Sequence, residues 1–435
     1  MHQSIGAQSF AASSIKYLNT IGVEPNPCNA ILRLKLHLFV VRSNHLKFLA
    51  LSARIRVIAT PAMTQDERRT GVLLSGYYGC GNLGDDLLLT VAVEELRTIL
   101  PNARFLLRDH GAGLPKLGAD VIPTGIDAIV DDQTHSRLFR LTSFTWHIAG
   151  LLRQCRWLIF GGGTVFHDNG GLVSLALQWL LCHLARMLDV RVAALGVGVA
   201  NLRTKTGRWL LRGIVSRCEL FLVRDDAALR QCAGTKARLT DDLVFAWRSL
   251  TPEGARKRQV GNPVSIGLTV SPLANERTVT ALADAVRLWQ EHGHRVVFIV
   301  FQQSATIADD VKVFAAINNK LAGAPVAIEV RRPIANASAI IEAFADIDIV
   351  CGMRFHGLVL AAMLERPFVG IVHDNKVSEI CRRFDMPCHE AATFDGADLV
   401  RSTEGIHRKV PDSKLLGQSR RLARENFFGF ASLSS

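Results

Sequence analysis

The stretch VLLSGYYGCGNLGDDLLLTVAVEELRTIL, residues 72–100, decides the fold. Its opening apolar run reads as a buried strand, its glycine-rich middle as a turn, and its last part as an amphipathic helix. Outward from it the alternation continues through RFLL, RWLIF, LVSLALQWLLCHLARML and VRVAALGVG. Strands separated by helices imply parallel sheets wound by right-handed crossovers, so residues 66–250 are expected to form a Rossmann-like domain. The periodicity lapses in RSLTPEGARKRQVGNP, and 251–262 reads as a linker. It restarts with VSIGLTV, RVVFIVF, VAIEV, IDIVCG and PFVGI, which sets a second Rossmann-like domain at 263–395 before a helical tail at 396–435.

The length agrees with two domains, because 435 residues exceed the roughly 250–300 that one core usually serves. The hydrophobic fraction of 49% with 21% charged residues belongs to a packed globular protein, and no apolar run reaches the ~20 residues of a membrane span. A soluble, cytoplasmic chain is therefore expected. The nine cysteines are scattered singly, with no CxxC pair and no histidine spaced to share a metal, so they read as reduced thiols.

The formal charge of +12 attracts anions of several kinds, and its placement separates them. Much of it sits in the first 62 residues, where Lys16, Arg33, Lys35, Arg42, Lys47, Arg54 and Arg56 face Glu24 alone. Residues 1–65 thus read as a separable basic extension, either translated from an upstream start or a tether to the inner face of the membrane. The basic excess lacks interleaved aromatics, which makes nucleic acid the weakest partner class.

Four turns carry the candidate chemistry. The first, SGYYGCGNLGDD, has glycines that let the backbone approach a ligand before a helix, with Asn82 among them as a candidate contact. Asp85 and Asp86 read there as an N-cap and a first-turn acid. The second, GGGTVFHDNGG, follows the buried strand RWLIF and offers Gly162, Gly163, His167 and Asp168 at a carboxyl strand end, the usual place for a ligand. The third, FLVRDDAAL, places Arg224 at another strand end, with Asp242 downstream to orient it and a salt bridge to a neighbouring acid as its plainer role. The fourth, IDIVCGMRFHGLVLAAMLERPFVGI, delivers Arg354 and His356 from a buried strand to a helix start, where a guanidinium, a protonatable ring and free amides suit an anion. Lys376, after the next strand, is expected to reach the same anion.

In this order, GYYGCGNLGDD, FGGGTVFHD, GVGV, VRD, DLVF and MRFHGLVLAAMLERPFVGI followed by Lys376 resemble the polysaccharide pyruvyl transferase family over roughly residues 70–385. The resemblance implies two Rossmann-like domains around a cleft, similar to the GT-B glycosyltransferase arrangement. It also implies transfer of the enolpyruvyl unit of phosphoenolpyruvate to a sugar of a cell-surface or exopolysaccharide precursor, as a ketal, with release of phosphate. Donor binding then falls on Arg354, Arg224 and Lys376, and general-acid work on His356. No metal is expected, and no cofactor besides the donor itself. The acceptor is expected to be a glycan or lipid-linked sugar. Two positions depart from many relatives: His373 stands where they carry tyrosine, and Gly84-Asp85-Asp86 where some read GE or GDE.

Two rivals share this architecture. A GT-B-type glycosyltransferase would use a nucleotide sugar, but the segment after His356 is apolar and offers no acidic pair for a ribose. A noncatalytic glycan- or nucleotide-binding protein would not need a protonatable His356 beside Arg354.

Overall fold

The computed structural model describes residues 70–109, 114–126, 137–169, 171–251, 263–303, 309–321 and 328–434. The chain divides into Met1–Met63 and Thr64–Ser435. The basic extension and, of the linker expected at 251–262, residues 252–262 lie outside the described residues.

Within Thr64–Ser435 the alternating pattern becomes two parallel sheets. In the first lobe β1 (Gly71–Tyr78), β2 (Arg104–Asp109), β3 (Val121–Pro123), β4 (Cys155–Gly161), β5 (Arg191–Val197), β6 (Leu220–Val223) and β7 (Arg238–Leu239) lie in the order β3-β2-β1-β4-β5-β6-β7. In the second, β8 (Ser265–Thr269), β9 (Arg295–Ile299), β10 (Glu329–Arg331), β11 (Ile349–Gly352), β12 (Phe368–Val372) and β13 (Cys388–Glu390) lie in the order β10-β9-β8-β11-β12-β13. Runs such as Trp157–Phe160 and Val192–Leu195 are buried on both faces because helices cover both sides of a parallel sheet.

Each order reverses once, between β1 and β4 and between β8 and β11. Connections leave in opposite directions at such a point and open a crevice at the carboxyl ends of the strands. The four turns singled out above follow β1, β4, β6 and β11, so the topology aims three of them at or beside the two crevices. One buried apolar cluster draws residues from both lobes, Leu243, Val244, Phe245 and Leu250 among them, and a second cluster belongs to the first lobe. The last helix, Ser413–Ser434, returns to the first sheet, where Phe430 packs edge-on against Trp157 at 4.7 Å between ring centroids. Its buried Asn426 donates to the Asp241 carbonyl at 3.2 Å and accepts from the Thr240 hydroxyl at 3.0 Å.

Among the described residues, no helix is long and apolar enough to cross a membrane. The eight described cysteines are free thiols.

Candidate active site

The turn after β1 requires its glycines: Gly79 and Gly81 both have φ of +71°, a left-handed conformation costly for other residues. Asn82 then caps the helix Leu83–Ile99, its Oδ1 accepting the Gly84 amide at 3.1 Å while its Nδ2 donates to Asp85 Oδ2 at 2.6 Å. The cap is therefore Asn82 and not Asp85, because only a residue ahead of the first helical turn can turn its side chain back to that turn's amides. Asp86 instead accepts the Gly79 amide at 3.0 Å and braces the turn. Backbone bonds sew this loop to the second lobe: the Leu83 amide donates to Phe301 carbonyl at 2.8 Å, and the Gln303 amide to Gly81 carbonyl at 2.9 Å.

After β4, Gly162 and Gly163 are again left-handed, with φ of +70° and +72°. A Cβ on Gly162 would meet Leu88 at 2.7 Å, so this glycine serves close packing against the helix and does not line the cavity. Gly163 and His167 do line it. Asp168, expected beside His167 as a sugar contact, also stands outside the lining. Its Oδ2 accepts from the amides of Arg203 and Thr204, at 3.0 and 3.1 Å, and from the Thr204 hydroxyl. Two amides and a hydroxyl on Oδ2 tie that loop to Asp168, while its Oδ1 is buried without a hydrogen-bond partner among the described residues.

Arg224 ends β6 and is only 4% exposed. Its Nη1 donates to Asp242 Oδ2 at 2.9 Å, its Nη2 to Thr164 Oγ1 at 3.0 Å, and Asp225 lies 3.5 Å from its Nε. The salt bridge and the cleft-facing arginine are thus one and the same residue, since Arg224 also lines the cavity and stacks over the Phe355 ring at 5.3 Å.

The second lobe supplies the opposite wall. β11 is anchored past its end by the Met353 amide, which donates to Thr269 carbonyl at 2.9 Å. Arg354 then takes the N-cap position of the helix Phe355–Met363 without capping it; its side chain runs sideways, Nε donating to Val270 carbonyl at 2.8 Å and Nη2 pairing with buried Asp310. His356 is 12% exposed and its Nε2 stands 3.5 Å from Asp242 Oδ2, so a second-lobe ring meets a first-lobe carboxylate. A Cβ on Gly84 would meet His356 Nδ1 at 2.2 Å. The glycine in NLGDD is what lets the imidazole lie against the first-lobe helix. Lys376 follows β12, its Nζ 3.6 Å from Asp374 Oδ2.

These groups surround one open cavity of about 580 Å³, lined by Asn82, Asp85, Gly163, His167, Arg224, Arg354, His356, His373 and Lys376 among others. Asp85 is the residue that sequence reading missed, because an acid in a first helical turn reads as dipole compensation. Burial raises its proton affinity, only partly offset by the charges of His356, Arg224 and Lys376. For Asp242 the balance is opposite: burial is outweighed by His356, Arg224 and the Val244 amide, so its carboxyl stays well below the usual range. Burial and the nearby Arg224 charge push the Lys376 ammonium down despite the acids around it. Arg108 and Gln178, joined at 2.8 Å, extend the lining on the first-lobe side and carry no motif that would have announced them.

Among the described residues, one group brings ligating atoms within 4.8 Å of one another: His292, His294 and Glu404. It lies outside this cavity, and His294 Nδ1 accepts the Val264 amide at 3.3 Å. That bond puts the neutral ring's proton on Nε2, the atom facing Glu404, where a metal would need a lone pair.

The fold has clear relatives among solved structures. The UDP-GlcNAc 2-epimerase of Methanocaldococcus jannaschii, solved with UDP-GlcNAc and UDP, is 10% identical at a TM-score of 0.54, over 83% of this chain and 99% of that one. A putative UDP-N-acetylglucosamine 2-epimerase of Listeria monocytogenes is 11% identical at 0.52, over 84% and 94%. A glycosyltransferase of Rickettsia africae is 11% identical at 0.50, over 83% and 94%. These likenesses establish the two-lobed GT-B architecture. The comparison with curated proteins found no match. The profile described as polysaccharide pyruvyl transferase matches residues 82–375, from the helix-capping Asn82 to the residue before Lys376. The chain thus belongs to the polysaccharide pyruvyl transferase family and is a transferase.

Proposed function

We propose that this transferase takes the enolpyruvyl unit of phosphoenolpyruvate and fixes it on a sugar as a cyclic ketal. The observation that carries the reading is the convergence of Arg224 from one lobe with Arg354, Lys376 and His356 from the other on a single cavity. A donor bearing both a carboxylate and a phosphate calls for cations on two sides, and planar guanidinium forks suit both groups. His356 is the general acid toward the methylene carbon, and Asp242, held ionised 3.5 Å away, gives the ring a charge partner. Protonation leaves cationic character on the neighbouring carbon, which one sugar hydroxyl attacks. Asp85, with its raised proton affinity, is placed to accept that hydroxyl's proton. Phosphate then departs with the C–O bond electrons, and a second hydroxyl of the same sugar attacks the cationic carbon to close the ketal, its proton returning to the deprotonated His356 ring. His167 and Asn82 are the acceptor contacts in this scheme, and the acceptor is a sugar of a polysaccharide precursor.

The competing reading is nucleotide-sugar transfer, suggested by the fold shared with the Rickettsia africae glycosyltransferase and by nothing else. Released phosphate separates the two. The expected result is phosphate release from phosphoenolpyruvate that depends on a sugar acceptor and is indifferent to nucleotide sugars. Consumption of a nucleotide sugar with no phosphoenolpyruvate-dependent release overturns the proposal.

A further inference from the structure

Between Asp189 and Glu219 the chain carries no acidic residue, while Arg191, Arg203, Lys205, Arg208, Arg212 and Arg217 fall inside that interval. The helix Lys205–Arg217 explains where this charge goes. It buries Gly207, Leu210, Leu211, Ile214 and Val215 against the first lobe and leaves Lys205, Arg208, Trp209 and Arg212 exposed. Trp209 is 61% exposed. Its ring leans at 5.9 Å on Trp179 of the neighbouring helix Val173–Met187, and Arg217 covers Trp179 at 5.1 Å.

Two features set this face apart from an ordinary solvated helix. First, none of Arg203, Lys205, Arg208, Arg212 and Arg217 forms an ion pair among the described residues; the Nη1 groups of Arg208 and Arg217 donate to the neutral carbonyls of Leu202 and Gly213. Second, the neighbouring helix Val173–Met187, which bears Trp179, exposes a further apolar side chain at its start, Val173 at 70%. The same helix sends Ser174 and Gln178 into the cavity wall, and the loop bearing Arg203 and Thr204 is held by Asp168, next to cavity-lining His167. The patch therefore adjoins the first-lobe rim of the cavity.

We infer that this face is a docking surface for an anionic phospholipid bilayer. An indole ring prefers the boundary between headgroups and acyl chains, and uncompensated cations around it are drawn to anionic headgroups. A nucleic acid would use the charges, but it has no use for the aliphatic surface at Val173. Where the proposed transfer holds, and resting on it, the location also names the acceptor class: a sugar carried on a lipid, presented to the cavity from the membrane plane.

The test is flotation of the full-length chain with vesicles of phosphatidylcholine and phosphatidylglycerol, and with vesicles of phosphatidylcholine alone. Binding to the anionic vesicles only is expected. The Lys205→Glu/Arg212→Glu variant loses about 30-fold or more in affinity, from the contribution of two cations near a charged surface. Trp209→Ala, which leaves every charge in place, loses about tenfold, as the loss of one interfacial ring. Failure of the parent chain to bind anionic vesicles overturns the inference. So does unaltered binding by both variants, which would assign binding to the basic first 62 residues, or tighter binding to a random DNA duplex than to the vesicles. Phosphate release with a water-soluble acceptor stays unchanged in both variants. Because the vesicle measurement needs no turnover, a failure of the transfer proposal leaves this inference standing and testable.

Discussion

Each lobe presents to the cleft an arginine held by a buried aspartate, yet the two pairs are built differently. In the first lobe, Arg224 is engaged through Nη1, Nη2 and Nε, and its partner Asp242 is shared with His356 from the other lobe. In the second, Arg354 remains 17% exposed at its side chain, and Asp310 accepts from it and from the Phe301 and Gln302 amides. The cations win at Asp242 and hold its carboxyl down, whereas burial prevails at Asp310 and raises it. The lesson is that a second cationic neighbour turns an arginine–aspartate contact from a near-balanced pair into a fixed anchor. The first pair is the floor on which His356 rests, and the second keeps an arginine available to a ligand.

The sharpest way to break this contrast is at the residue that joins the lobes. His356→Gln is expected to lower turnover by about 10²–10⁴, as loss of a general acid does, while phosphoenolpyruvate binding measured by calorimetry changes little. Equal loss of binding would make His356 a ligand contact and not an acid. Next in size, Arg224→Ala leaves Asp242 buried with His356 as its remaining charged partner. It should cost about 3–5 kcal/mol in denaturant unfolding. Arg354→Ala should cost less, about 2–3 kcal/mol, because Asp310 keeps two amide donors and takes up a proton more readily than an ordinary carboxylate. Its main effect should be a steep rise in the phosphoenolpyruvate needed for half-saturation, and an unchanged saturation curve would remove Arg354 from the anion site.

Gly84→Ala probes the lobe junction from the other side. The added Cβ must displace the His356 ring, so about 1–2 kcal/mol of overpacking is expected together with a fall in turnover. Full activity would mean that the imidazole position is not critical. The last test is a pH signature at the same helix start. Burial raises Asp86 to about 7, so the folded chain binds a proton that the unfolded chain releases near pH 4. Its contribution is present below about pH 4 and lost as pH rises through about 7, at up to about 1.4 kcal/mol per pH unit inside that window. Asp86→Asn should flatten this slope in thermal unfolding at stepped pH. Asp242 runs the other way: its contribution is present above about pH 4 and fades as acid protonates it.

The fold was legible because its signals are local. Strand runs such as RWLIF and the helical spacing in residues 85–100 are written within a few residues of one another, and parallel topology follows from their alternation. Part of the site was legible for the same reason: Arg354 and His356 sit two apart at one strand-to-helix turn. The loop-holding bonds of Asp168 were not legible because its partners, Arg203 and Thr204, lie 35 and 36 positions away. Asp85 was missed because its local position explains it fully as a first-turn acid, and only the approach of His356 and Lys376 gives it a second meaning.

By itself the sequence determined that strands would alternate with helices in two sheets, which glycines would turn the chain sharply, and which residue types would stand at the strand ends. Those outcomes depend on backbone conformation and side-chain periodicity, both short-range properties. Which carboxylate faces which cation was decided only when the lobes closed, because charge and burial act through space and take no account of separation along the chain. Asp242 with His356, Gly84 beneath the imidazole, and the uncompensated cations around Trp209 all belong to that second level.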